Sequence, residues 1–290
     1  MLSPGFSISP KDLWNAIATQ DAPQIIDVRR REAYGESPHL LPGAIWRDAA
    51  RVAEWATQLD VTRPIVVACK AGHEMSQSAA AQLRANNIDA RVLEGGYEGW
   101  SKAGLAFVAK PELDRIAPRR PSIWVTRRRP KIDRIACPWL VRRFLDPQAR
   151  ILFVDPDQVT NVARETGGIP FDIKDVELSH VGERCSFDTM LKLFGLEGEP
   201  SLARLALIVR GADTARHDIA PEAGGLHAIS LGLSALAGDD DHGLLERGFV
   251  VYDALFAWLR FAAEERHIFG SRSLFEWSVK GGQMQVATPS

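Results

Sequence analysis

Val66-Val67-Ala68-Cys69-Lys70-Ala71-Gly72-His73-Glu74-Met75-Ser76 is the stretch whose reading decides the fold of the first third of the chain. Ile65 to Ala68 is an unbroken apolar run of strand length, and the run from Ser76 through Leu83 favours helix. Cys69 therefore falls at a strand end, in a short loop that opens onto a helix N-terminus. The first amides of a helix have no intrahelical partner there, and the helix dipole favours negative charge. A thiol so placed should have a lowered pKa, with Lys70 and His73 acting in the same direction. Successive N–H groups in such a loop also form a concave nest for an anion. The site suits a thiolate, a persulfide or a small oxyanion. The competing reading is an inert cysteine packed at the end of a core strand.

The surrounding chain fits that start. Its 290 residues are enough for one large or two ordinary domains, and 46% hydrophobic with 25% charged residues is the balance of a globular protein with sizeable cores. No run approaches the ~18 apolar residues of a membrane span, so no membrane partner is expected. Met1-Leu2-Ser3-Pro4-Gly5 lacks the basic start and apolar stretch of a signal peptide, which gives a cytoplasmic expectation. Three widely spaced cysteines, Cys69, Cys137 and Cys185, fit free thiols better than a disulfide framework. The net charge of −2 hides an asymmetry: residues 111–150 hold 11 Lys and Arg against 4 Asp and Glu, and residues 151–290 hold 12 against 21. A local basic block on a near-neutral chain points to an anion site or an inter-domain contact, and nucleic acid is not an expected partner.

Outward from Cys69, Ser9 and Pro10 read as the cap and first residue of a helix. Gln24 to Arg29 and Ala90 to Leu93 read as strands, and Ala49 to Leu59 and Ser76 to Asn86 as helices. Glu94-Gly95-Gly96 is a tight turn into a last helix. Strands alternating with helices imply an α/β layer with a largely parallel sheet. Asp27-Val28-Arg29, Pro42-Gly43-Ala44-Ile45, Cys69-Lys70-Ala71-Gly72 and Leu93-Glu94-Gly95-Gly96 with Trp100 together resemble a single rhodanese, or sulfurtransferase, domain, assigned to residues 1–107. The resemblance implies a parallel sheet flanked by helices and a cysteine that carries sulfane sulfur as a persulfide. Cys69 would be that nucleophile. The amides of Lys70, Ala71, Gly72, His73, Glu74, Met75 and Ser76 would hold the anionic sulfur, and Asp27 and Arg29 would support the site. No cofactor is needed for such a transfer, and the partners would be a small sulfur donor and a thiol acceptor. Asp27 also reads as a turn cap and Arg29 as half of an ion pair. The sequence departs from the family where many members follow the loop glycine with x-Arg-Ser. Glu74 replaces that arginine and Ser76 arrives one residue late, as in a lengthened loop. A carboxylate there should repel a dianionic substrate such as thiosulfate unless Lys70 or His73 neutralises it.

Residues 108–121, with three prolines and mixed charge, read as a connector. Beyond it, a second domain over 122–275 and a flexible tail over 276–290 are expected. Ser122 to Thr126 and Ile151 to Val154 read as strands. Arg134 to Phe144, Ser186 to Phe194 and three later segments show helical spacing, so this half reads as a mainly helical α+β domain. The run from Trp124 through Asp133, Cys137 and Trp139 to Leu140, with Ser179-His180 to Asp188 and Gly211 to Asp218, resembles the C-terminal domain of the chromate-resistance protein ChrB family. That resemblance implies a role in chromate resistance.

The residues themselves offer two constellations in this half. Arg127, Arg128, Lys131, Arg134 and Arg142 could bind chromate or another oxyanion, with Cys137 a candidate reactive thiol beside them; a solvated basic face and a buried helix cysteine are the plainer readings. Glu177, His180, Asp213 and His217 could hold iron, manganese or zinc. Glu177 and His180 share a face if their stretch is helical, whereas the alternation of Val176, Leu178 and His180 would turn Glu177 away. Two functions follow: a rhodanese-like sulfurtransferase or thiol enzyme using thiosulfate or another sulfane donor, or a chromate- or metal-sensing binding protein in which that domain is catalytically weak.

Overall fold

In the computed structural model, which describes residues 5–19 and 22–265 and the backbone of 277–280 and 283–286, the apolar runs of the first third become one sheet. Its strands are β1 (Ser7–Ile8), β2 (Gln24–Asp27), β4 (Ala44–Trp46), β5 (Ile65–Ala68) and β6 (Ala90–Leu93), in the order β1-β6-β5-β2-β4 with every pairing parallel. β3 (His39–Leu40) lies apart. The central strand β5 is buried along its whole length, which is why its sequence is a continuous apolar run rather than an alternating one. Val66 and Ala68 face one layer and Val67 the other. On the first side pack α1 (Pro10–Ala16) and α5 (Gly96–Lys102) through Leu13, Trp14 and Trp100. On the second lie α3 (Val52–Trp55) and α4 (Glu74–Ala85) through Val52, Trp55, Ala79, Ala80 and Leu83. Ser9 caps α1 as expected, its Oγ accepting from the Asp12 amide at 3.1 Å. The helix expected over Ala49 to Leu59 is instead α3 between two 3-10 turns, where Trp55 Nε1 donates to the Asp48 carbonyl. A short helix, α2 (Arg31–Gly35), follows β2.

The stretch expected as a connector is itself folded. β7 (Val108–Ala109) pairs antiparallel with β3, and α6 (Lys110–Ile116) follows with Pro111 in its first turn. Leu113 and Ala117, one helical turn apart, are each 1% exposed, so the segment has an apolar face despite its prolines.

The second half opens with a three-stranded parallel sheet of β8 (Ile123–Arg127), β9 (Arg150–Val154) and β10 (Ile169–Pro170), in the order β10-β8-β9. Helices carry the rest: α7 (Asp133–Leu140), α8 (Val159–Thr166), α9 (Ser186–Leu193), α10 (Pro200–Asp213), α11 (Ala223–Ala237) and α12 (Asp241–Phe261). Pro138 sits inside α7 rather than in its first turn, and α7 runs on as a π-helical turn over Val141–Leu145. Trp139 is the hub, with Phe144, Phe187, Tyr252 and Phe256 around its ring.

One core runs through both halves. Trp14 of α1 meets Trp100 at 5.9 Å and Phe144 at 6.2 Å between ring centres. The Gly43 amide donates to the Phe144 carbonyl at 2.6 Å, and Arg260 of α12 donates to the Trp14 carbonyl at 2.9 Å while stacking on its ring. The tail expected over 276–290 lies outside the described residues except for the backbone of an antiparallel pair, β11 (Trp277–Lys280) and β12 (Gln283–Val286). Among the described residues no helix is long and apolar enough to cross a membrane.

Candidate functional sites around Cys69 and His180

Cys69 follows β5 directly, at the carboxyl edge of the sheet, where ligand crevices of parallel α/β layers form. The loop to α4 is short, with His73 at the N-cap. Its tight course depends on glycines. A Cβ on Gly72 (φ +72°) would come within 2.8 Å of the Gly95 amide, and one on Gly96 (φ +55°) within 2.3 Å of the Cys69 carbonyl. The Glu94-Gly95-Gly96 turn is thus the floor of the cysteine loop, and Tyr97 and Glu98 donate their amides to the Cys69 and Lys70 carbonyls at 2.9 Å each.

The thiol is 3.1 Å from Ser76 Oγ. Burial pushes its pKa up. The Ser76 hydroxyl and the amides of Ser76, Ala71 and His73 outweigh that, and the net shift is downward. The Lys70 side chain, expected to act on the thiol, is 73% exposed and faces Glu98 at 3.8 Å, and the His73 side chain is exposed as well. Met75 and Ser76, expected in a lengthened loop, belong to the first turn of α4, which brings Ser76 back beneath the sulfur. Glu74 is exposed at the helix start and joins no ion pair among the described residues, so nothing neutralises it. Beside the loop runs a cleft of about 560 Å³ lined by Ala71, Gly72, His73, Gln77, Arg84 and Glu94 among others; Cys69 is not one of its walls.

Asp27 and Arg29 form a fully buried bidentate pair, Nη2 to Oδ2 at 2.7 Å, and Asp27 Oδ1 also accepts the Arg29 amide at 3.0 Å. Asp27 is thus a turn cap and an ion-pair partner together. The Arg29 guanidinium lies 4.3 Å from the centre of the Tyr97 ring, which ties β2 to the floor of the cysteine loop.

In the second half the structure redistributes both constellations. Arg127 and Arg134 turn to Asp172, at 3.0 and 3.4 Å. Arg128 goes to Asp155 and Arg142 to Glu246, both at 2.8–2.9 Å, and Lys131 enters no ion pair among the described residues. Four of the five cations are therefore held by acids, Arg127 and Arg134 by the same one, which leaves no shared anion pocket among them. Cys137 is wholly buried in α7, and burial holds its thiol well above the ordinary range, so it is not an activated cysteine. Burial pushes the Cys185 thiol up as well.

Of the four expected metal ligands, only His180 and Asp213 meet, at 3.2 Å. Residues 175–185 form turns and bridges rather than a helix; Leu178 is buried and bridged to Phe171, so Glu177 faces outward and pairs with Arg115. His217 lies in a separate 3-10 turn beyond the left-handed Ala215 and contacts His227 at 3.3 Å. Their places are taken by Asp133 and Asp172, each 3.5 Å from His180 Nε2. Asp133 starts α7, and its Oδ2 accepts from the Ser186 amide at 2.5 Å. Asp172 follows β10 with φ +52° and is 45 residues from its arginine partner, a separation that leaves no local sequence signal. Hydrogen bonds from His180 to Asp133 and Asp172 raise the imidazole pKa to about 10. Burial, reinforced by repulsion from Asp133 and Asp172, pushes Asp213 up to about 7.

Comparison with known proteins divides the chain at the same place as the fold. The rhodanese-like domain model matches residues 9–103, and the model of the ChrB C-terminal domain matches residues 124–259. Protein ChrB of Cupriavidus metallidurans is 36% identical over 133 residues, 46% of this chain and 39% of that protein, so the chain spans well under half of this relative. The thiosulfate sulfurtransferase GlpE of Actinobacillus succinogenes is 33% identical over 109 residues, 36% of this chain and 95% of that protein. A solved rhodanese-like domain protein from Staphylococcus aureus shares 26% identity over 33% of this chain and 91% of its own, with a TM-score of 0.30.

Proposed function

The chain belongs to the rhodanese family through residues 9–103 and matches the ChrB C-terminal domain over 124–259, and from that premise we propose that it is a sulfurtransferase acting in chromate resistance. The Cys69 thiolate attacks the outer sulfur of a sulfane donor, an S–S bond breaks, and the donor leaves with the bonding pair as sulfite or a thiolate. The product is a Cys69 persulfide, whose terminal sulfur passes to a thiol acceptor in a second displacement. No cofactor enters either step. The observation that carries this reading is the polar cradle around the sulfur, the amides of Ser76, Ala71 and His73 with Ser76 Oγ at 3.1 Å, which suits negative charge where the persulfide would carry it. A cytoplasmic setting, where thiols stay reduced, suits its three free cysteines.

The uncompensated Glu74 favours donors less charged than thiosulfate, such as a low-molecular-weight persulfide. Intact mass after incubation with such a persulfide should rise by one sulfur atom, and Cys69→Ala should abolish the gain. If neither that donor nor thiosulfate gives the adduct on the reduced protein, the catalytic reading fails. The same carboxylate supports the second reading, a chromate-responsive binding protein with a weak rhodanese domain. Its sign would be chromate-dependent protection from unfolding that persists in Cys69→Ala and disappears in Arg127→Ala.

A further inference from the structure

We propose that Asp133, His180 and Asp213 bind a divalent first-row transition-metal ion, of the zinc, iron(II) or manganese(II) class, with Asp172 beside the centre as a partner of His180. The inference is independent of sulfur transfer at Cys69.

Three observations converge on it. The ligand atoms of Asp133, His180 and Asp213 all lie within 4.8 Å of one another, although they come from α7, an irregular loop and the end of α10. His180 Nε2 stands 3.2 Å from Asp213 Oδ2 and 3.5 Å from both Asp133 Oδ2 and Asp172 Oδ1. Donors at the corners of a tetrahedron around an ion with bonds of about 2.1 Å are roughly 3.4 Å apart, so His180 stands from Asp133 and Asp213 at the spacing of neighbouring ligands. The second observation is Asp133 Oδ1. It is buried, on a side chain 1% exposed, and has no hydrogen-bond partner among the described residues. An orphaned carboxylate oxygen beside three ligand atoms is what a cation would satisfy.

The third is the charge inventory. Asp133, Asp172 and Asp213 surround a single imidazole. Arg127 and Arg134 both pair with Asp172; Arg134 also lies in the field of Asp213, but among the described residues only His180 contacts Asp133 and Asp213 as an ion-pair partner. A divalent ion brings two positive charges to these carboxylates, with the neutral imidazole as a ligand beside them. The outer shell is already built: the Ser186 amide holds Asp133 Oδ2 at 2.5 Å, and Ser186 Oγ and Arg127 Nη2 hold Asp172 at 2.8 and 3.0 Å. The His180 side chain is 42% exposed, which gives the ion a route in. Oxygen and imidazole donors without thiolate suit zinc, iron(II) or manganese(II).

The test uses the full chain, reduced and stripped with a chelator, titrated calorimetrically with Zn(II), Mn(II) and, without oxygen, Fe(II). One ion per chain should bind for at least one metal and raise the unfolding temperature. Asp213→Asn and His180→Gln should each weaken binding by more than about tenfold while metal-free far-UV circular dichroism stays unchanged. Glu177→Gln, His217→Gln and Cys69→Ala should bind as the parent does. If none of the three metals binds at one per chain, or binding survives His180→Gln, the proposal is overturned. A sulfur-to-metal charge-transfer band with Co(II) would also overturn it, by placing the ion on a cysteine. Should Asp213→Asn fail to fold, the more exposed His180→Gln decides alone.

Discussion

Two residues in the first turn of α4 set what the cysteine can do. Ser76 works with the loop amides against burial, so alkylation of Cys69 should follow a thiolate titration with a midpoint below the ~8.5 of a free cysteine. Ser76→Ala should move that midpoint upward, measured as iodoacetamide rate against pH; an unmoved midpoint would mean the amides suffice alone. Glu74 acts on the substrate instead. Glu74→Arg should lower KM for thiosulfate on the order of tenfold, because a repelling charge becomes an attracting one, with a smaller effect on an uncharged donor. Cys69 was legible from its place after an apolar strand, and Glu74 from its departure from the family pattern. The neutralised Lys70 was not, because its partner Glu98 enters from another turn. Asp133 and Asp172 were hidden for the same reason: each is brought to His180 by tertiary packing across 47 and 8 residues of chain.

At the scale of elements, the decisive contact is between two turns rather than two helices. The cysteine loop and the Glu94-Gly95-Gly96 turn lie backbone to backbone, with no room for a Cβ at Gly96. Gly96→Ala should therefore cost about 1–3 kcal/mol or more in urea unfolding, and should slow Cys69 alkylation as the amide cradle shifts. A variant of full stability and full reactivity would show that the floor can retreat. The strands and longer helices of both halves were readable from apolar period, since burial on one or both faces imposes it. Residues 108–121 were misread because composition was weighed above the i,i+4 pair Leu113 and Ala117. The Glu177 to His180 stretch shows the converse: its alternation was the reliable signal, and the Glu-x-x-His spacing was not, because the segment is not helical.

For the whole molecule, the aromatic chain Trp100, Trp14, Phe144 and Trp139 packs the two halves into one continuous core. Unfolding followed by tryptophan fluorescence and by Cys69 exposure should give a single coincident transition. Trp14→Ala should lower stability by about 3–5 kcal/mol and shift both signals together. Two separate transitions would show that the seam is not cooperative. This continuity was not legible in the sequence, where the stretch after Ser9 and Pro10 reads only as a capped helix. The outer face of α1 is roofed by Phe144 and Arg260 of the other half, so excising the first half alone would leave the Trp14 ring bare to water.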